Sequence, residues 1–124
     1  MTVQTKDVKL EWKRLFGAID RMDATALASF LTEDSVFRFG NAEPVRGNNN
    51  VREYVAGFFS SIMALKHDVH GIWEKDDVVT VQGEVTYTRK DGRLVTVPFV
   101  DLFKMNGVLI HEFLIYIDAS PLFS

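Results

Sequence analysis

The 124-residue chain contains no cysteine, which excludes disulfides, thiolate metal sites and a cysteine nucleophile. It also lacks a basic stripe. Fourteen Lys and Arg stand against seventeen Asp and Glu, for a formal net charge of −3, so the electrostatic footprint of a nucleic-acid binder is missing. No segment approaches the ~20 apolar residues needed to span a bilayer. Met1 to Asp7 lack the apolar run of a signal peptide. There is no Gly-rich phosphate loop, and the three histidines show no metal-ligand spacing such as a pair four apart on a helix. These absences predict a cytoplasmic protein without nucleic-acid or membrane partners and without metal or organic cofactor.

What is present is an ordinary globular composition, 47% hydrophobic and 25% charged, with ten Phe that suit an aromatic-lined cavity or a packed core. The length fits one domain, residues 1–124, able to bury roughly two-thirds of its unfolded surface. The most informative position is Asp101. It lies within the most apolar strand pattern, Val95 to Phe103, on the same side as Val95, Val97, Phe99 and Phe103. An unpartnered carboxylate on a core-facing side costs several kcal/mol or more, so it shifts its pKa, pairs, or does chemistry. A lone acid on an apolar wall is one way to build a small-molecule site. The alternative is a bulge that turns Asp101 to solvent.

Helices come first. Val8, Trp12, Leu15, Phe16 and Ile19 mark an amphipathic helix over Val8–Ile19. Asp23 is the expected N-cap of a short helix from Ala24 to Leu31. A short strand, Val36–Phe39, precedes a loop at Gly40 to Pro44 that Gly47 closes. Asn48 to Asn50 then offer an N-cap for a third helix running to about Leu65, with Val51, Val55, Phe58, Ile62 and Leu65 as its stripe. Four strands come next, His67–Glu74, Val78–Thr88, Leu94–Met105 and Leu109–Ile117, separated by turn residues. Helices gathered on one face of an antiparallel sheet make an α+β domain.

The turns also predict register. Pairing Thr88 with Leu94 sets Val85 beside Val97 and Val81 beside Asp101. A three-residue loop at Asn106 to Val108 sets Asp101 beside Phe113, with Ile115 and Ile117 inward and His111 diagonal to Asp101; a two-residue turn would invert the last strand. Val100, Leu102, Leu114 and Tyr116 then share the outer face, an apolar patch that predicts a homodimer seam.

This order of elements resembles the NTF2-like superfamily, in its SnoaL-like and ketosteroid-isomerase-like branch. Ile19 to Asp23 followed by Leu27 and Phe30 to Asp34 resembles the family's first helical hairpin. Phe37 to Asn41 with Pro44 to Gly47 resembles its strand and loop, and Val97 to Lys104, Asn106-Gly107 and Tyr116 to Asp118 resemble its C-terminal half. The resemblance implies a cone in which three N-terminal helices pack on a curved, mainly antiparallel sheet around an apolar pocket. It does not imply one activity, because the fold hosts isomerases, cyclases, hydrolases, dehydratases, binding modules and transport factors.

By the resemblance, Asp101 matches the oxyanion-hole acid of ketosteroid isomerases, a neutral carboxyl that donates to a developing enolate. Other parts of that machinery do not carry over. The oxyanion tyrosine's position falls on Leu15, and the base falls on or next to Phe39. The Asp-Arg-Asp set of limonene-epoxide hydrolases would need an Arg near Glu84 and acids near Thr86 and Ile115, and none is there. SnoaL-type cyclases use one acid as general acid/base.

Each candidate has a bland counterpart. Tyr54, where related isomerases place a pocket aromatic, either donates to Asp101 or a ligand, or anchors its helix. His67 shares a face with Val69 and Trp73 and is either a base at the cavity mouth or a surface residue at a strand start. His111 either couples to Asp101 or points to solvent after its turn. Arg38 and His70 read as surface, and Asp118 as the cap of the turn into Pro121. Expected pocket walls are Trp12, Phe16, Phe39, Phe58, Trp73, Val81, Phe99, Phe113 and Ile115. Three readings stay open: a cofactor-independent acid/base enzyme (isomerase, cyclase or lyase) acting on an apolar carbonyl-bearing or polycyclic molecule, a non-catalytic module binding such a molecule, and a structural homodimer whose pocket its own Phe side chains fill.

Overall fold

A computed structural model describes residues 8–123. Met1 to Asp7, where the sequence shows no signal-like run, lie outside the described residues. The elements are α1 (Trp12–Asp20), α2 (Ala24–Ala28), β1 (Leu31–Phe39), β2 (Val45–Arg46), α3 (Asn48–Ser60), β3 (Ile62–Lys75), β4 (Val78–Arg89), β5 (Leu94–Asn106), β6 (Leu109–Ile117) and α4 (Ser120–Phe123). The six strands form one curved, unclosed sheet in the order β2-β1-β6-β5-β4-β3, antiparallel except for the β1–β6 pair. The α+β architecture is the one expected, with α4 added at the C-terminal end.

Helix ends differ from the periodicity in instructive ways. α1 starts at Trp12 rather than Val8. α2 has its N-cap where expected, Asp23 accepting from the Ala26 amide at 2.9 Å, but stops at Ala28. Leu31 is drawn into β1, opposite Ile110, whose amide donates to the Phe30 carbonyl at 2.8 Å. Pairing across the sheet therefore overrides the helical spacing. β1 is longer than expected for the same reason, and the loop after it contains the two-residue strand β2.

The Asn48 to Asn50 run does not supply the cap of α3. Gly47 occupies that position, and Asn50 Nδ2 donates back to the Arg46 carbonyl at 3.0 Å. The helix ends at Ser60 because Ser60 and Ser61 turn their hydroxyls onto the Ala56 and Phe58 carbonyls. Ile62 and Leu65, placed on the helix stripe by spacing, are instead buried residues of β3.

Register agrees with the prediction between β4 and β5, with Thr88 opposite Leu94, Val85 opposite Val97 and Val81 opposite Asp101. Between β5 and β6 the expected partner is corrected. Asn106 pairs with Leu109 across a two-residue turn, a bulge comes after it at His111, and Asp101 lies opposite Ile115 rather than Phe113. Turn and bulge together restore the parity, so Phe113 and Asp101 still face inward. A second bulge in β3, at His70, inverts the residues after it: Ile72 turns to the core opposite Val81 and Trp73 to the outer side opposite Thr80.

Two glycines fit that bulge. A Cβ on Gly83 would lie 2.1 Å from the Asp68 carbonyl oxygen, and one on Gly71 would lie 2.4 Å from the Trp73 ring. The core sits between the concave sheet face and α1 to α3, centred on Phe103 and Phe113, whose rings are 4.5 Å apart.

Candidate functional site

Asp101 is 2% exposed, flanked across the sheet by Val81 and Ile115. Its Oδ1 has no hydrogen-bond partner among the described residues. Burial alone pushes its carboxyl well above the ordinary value of 3.8, because nothing offsets the lost hydration of the charged form. A protonated carboxyl in this position is a hydrogen-bond donor facing an apolar space.

α1 ends at Asp20, and its carboxylate takes two bonds from one residue of β3. The His67 amide donates to Oδ2 at 3.1 Å, and His67 Nδ1 lies 2.7 Å from Oδ1. A carboxylate only accepts, so Nδ1 carries a hydrogen, and in the neutral imidazole it is Nε2 that has the lone pair. The side chain of His67 is 10% exposed, and its ring packs 4.9 Å from Phe16 and 5.2 Å from Phe99. The imidazole is therefore fixed in tautomer and orientation.

His67, Asp101 and Tyr54 all line one cavity, together with Phe39, Phe58, Phe99, Phe113 and Ile115. Tyr54 stands at its mouth, 38% exposed, with its ring 5.9 Å from Phe37. No hydrogen bond joins Tyr54 to Asp101 among the described residues, and Asp101 Oδ1 is unpaired there. Four expected walls lie elsewhere. Phe16 and Val81 are buried core residues, Phe16 packing against His67 and Val81 beside Asp101 on the next strand. Trp12 packs at the core's edge with Lys13 Nζ 5.6 Å from its ring, and Trp73 is carried to the outer face by the His70 bulge.

His111 is the bulged residue of β6. It lies 3.6 Å from Asp34 and 3.5 Å from the Thr32 hydroxyl, so it does not form the diagonal couple with Asp101. Asp118 accepts from the Ser120 amide at 3.1 Å, the turn cap expected of it.

Two features of the site escaped sequence reading. Asp20 lies 47 residues from its partner His67, and an acid at a helix end reads as solvated surface. Tyr87 is 3% exposed and lines the cavity; its place in the inward alternation of β4 was the available signal. Burial raises the Tyr87 hydroxyl far above its usual value, with the Asp101 charge adding to this; a neutral Asp101 would leave burial alone.

Room inside is limited. About 50 Å³ can hold the centre of a water-sized molecule, a third of the ~150 Å³ that lets an apolar cavity take up benzene. Away from the cavity, on the outer face, Asp68, His70 and Glu84 bring one potential metal-ligand atom each within 4.8 Å. The His70 bulge and the Asp68–Glu84 cross-strand pair create this cluster, which spacing in the sequence did not suggest. All three are exposed, and His70 is already bound to Asp68 at 3.2 Å.

Residues 12–113 match the family model described as a SnoaL-like domain. The chain belongs to the SnoaL-like domain family. Solved structures similar to this SnoaL-like domain include an NTF2-like protein of unknown function from Burkholderia pseudomallei, 16% identical, covering 90% of each chain at a TM-score of 0.81. A candidate SnoaL-like polyketide cyclase from Jannaschia sp. CCS1 is 21% identical, covering 90% of this chain and 85% of that one at 0.78. A hypothetical protein with a ketosteroid-isomerase-like fold from Catenulispora acidiphila, in complex with trimethylamine, is 16% identical, covering 91% and 86% at 0.81. At these identities the likeness establishes the fold. No curated protein matches the chain.

Proposed function

We propose that this SnoaL-like domain is a cofactor-independent acid/base enzyme acting on a hydrophobic, carbonyl-bearing small molecule. The observation that carries the reading is one apolar cavity lined both by a buried, unpaired carboxyl and by an imidazole whose far nitrogen is held by a carboxylate. Two titratable groups with opposed environments are the pattern of an acid and base pair. In this reading His67 Nε2 removes a proton from the carbon next to the carbonyl, and Asp20 holds the imidazolium that results. Protonated Asp101 donates a hydrogen bond to the oxygen as it becomes an enolate. His67 then returns the proton to the same or another carbon, giving isomerisation. Expulsion of a β-hydroxyl, which takes the His67 proton and leaves as water, gives dehydration instead, and attack of the enolate on a second carbonyl, whose alkoxide takes that proton, gives cyclisation. Tyr54 and Tyr87 position the substrate.

The test is deuterium exchange into the α-carbon of 2-tetralone, monitored by NMR in D2O. The wild-type protein should exceed buffer, and His67→Asn and Asp101→Leu should each lower the rate by on the order of 10²-fold or more. Exchange no faster than buffer would remove the catalytic reading.

The small free volume, about 50 Å³, favours a second reading, a structural domain whose own Phe side chains fill the cone. Mass spectrometry of freshly isolated protein separates the two: a co-purified apolar molecule excludes the filled-cone reading. A cytoplasmic setting and a homodimer joined through Val100, Leu102, Leu114 and Tyr116 belong to the same proposal. Val100 opposite Tyr116 and Leu102 opposite Leu114 support the seam, as does the 60% exposure of Tyr116. No helix among the described residues is long and apolar enough to cross a membrane.

A further inference from the structure

A groove lies directly outside the inner cavity, and the two share a wall. Phe39, Tyr54, Phe58 and Ile117 line both. The rings of Phe39 and Phe58 meet in that wall, 5.0 Å apart. In the groove, about 560 Å³ can hold the centre of a water-sized molecule, against about 50 Å³ inside. Its far rim carries Asn41, Asp118, Ser120 and the exposed ring of Phe123. Among the described residues, Asp118 is the only charged side chain that lines it. The nearby Arg38 is turned onto the Ala42 carbonyl at 3.0 Å.

These dimensions limit what the acid/base reading can mean. A ligand site of ordinary size encloses several hundred cubic ångströms. The inner cavity cannot enclose such a ligand whole, and a single ring enters it only if the Phe39–Phe58 wall parts. The remainder of the ligand would then lie in the groove, the space continuous with that wall.

Resting on the acid/base reading of Asp101 and His67, we infer that the groove is the second half of the binding site. It holds the far end of an elongated ligand whose reacting carbonyl lies inside, and Asp118 selects a hydrogen-bond-donating hydroxyl or ammonium there over a carboxylate. Hydrogen bonds from the hydroxyl and amide of Ser120 keep the Asp118 carboxyl below its ordinary range, so the rim is anionic at neutral pH. A carboxylate would meet repulsion with no lining cation among the described residues to offset it, whereas a donor gains a charge-assisted bond.

Three phenols test this by NMR titration: p-cresol for the inner cavity alone, 4-(4-aminobutyl)phenol, and 4-(4-hydroxyphenyl)butanoic acid. The amine should bind about fivefold tighter than the acid, the range of one solvent-exposed ion pair. Asp118→Asn, which keeps the oxygen that caps Ser120, should remove that difference and leave p-cresol unchanged. Phe58→Trp should weaken both extended phenols more than p-cresol. Equal affinities for amine and acid, or a difference that survives Asp118→Asn, would overturn the inference. The parent reading fails separately, if p-cresol binding is indifferent to Asp101→Leu while the Asp118 effect persists. If none of the three phenols binds, both fall.

Discussion

His67 Nδ1 and Asp20 Oδ1 lie 2.7 Å apart, joining the end of α1 to the strand that bounds the cavity. The Asp20 carboxylate sets which imidazole nitrogen keeps its lone pair. Asp20→Asn, with a side chain that can donate as well as accept, should lower kcat in the exchange assay by on the order of 10²-fold. KM should change little, because Asp20 does not line the cavity. A loss confined to KM would mean that the pair only shapes the pocket.

Asp101 should make stability depend on pH. Its folded-state pKa is raised above the unfolded value, so the folded state binds the extra proton. Its contribution is fully present below pH 3.8 and is lost as pH rises through the raised folded value. Asp101→Asn should flatten that part of the profile and stabilise the fold at neutral pH by ~1–3 kcal/mol, since a neutral isostere takes up no proton on folding. Denaturant melts from about pH 4 to 8 on both proteins measure this. A mutant with the wild-type slope would place the titration elsewhere.

Gly83→Ala should destabilise by about 1–3 kcal/mol, because the new methyl meets backbone rather than a movable side chain. Gly92→Ala has open space around its Cβ but a φ of +87°, so its cost should come from backbone strain alone. Thermal melts of the two mutants should differ in their response to Asp68→Gly, which loosens the strand opposite Gly83. Equal responses would mean that the Asp68 carbonyl does not oppose the new methyl.

The proposed seam predicts a particle of twice 14.1 kDa in sedimentation. Leu102→Glu places a charge between Leu114 and Thr80 on the outer face and should give a monomer with unchanged circular dichroism. A wild-type monomer would remove the seam.

Much of the cone was legible in the chain. The turn at Lys90 to Gly92 and the alternation of β4 and β5 determined that Asp101 faces inward opposite Val81. Period-two patterning carries parity, and parity decides which side chains meet the core. The same local information misplaced Trp73 and the partner of Asp101, because each depends on one extra residue, His70 in β3 and His111 in β6. A bulge leaves no periodic trace in sequence, since it is selected by how strands fit across the sheet.

By itself, then, the sequence determined the α+β class, the inward acid and the apolar surround, all of which arise from local periodicity and composition. Only the tertiary structure decided that Asp20 holds His67, that Tyr87 joins the cavity, and that Phe39 and Phe58 divide it from the groove. Those relationships join residues far apart in the chain, and only the packing of helices onto the curved sheet sets the distances between them.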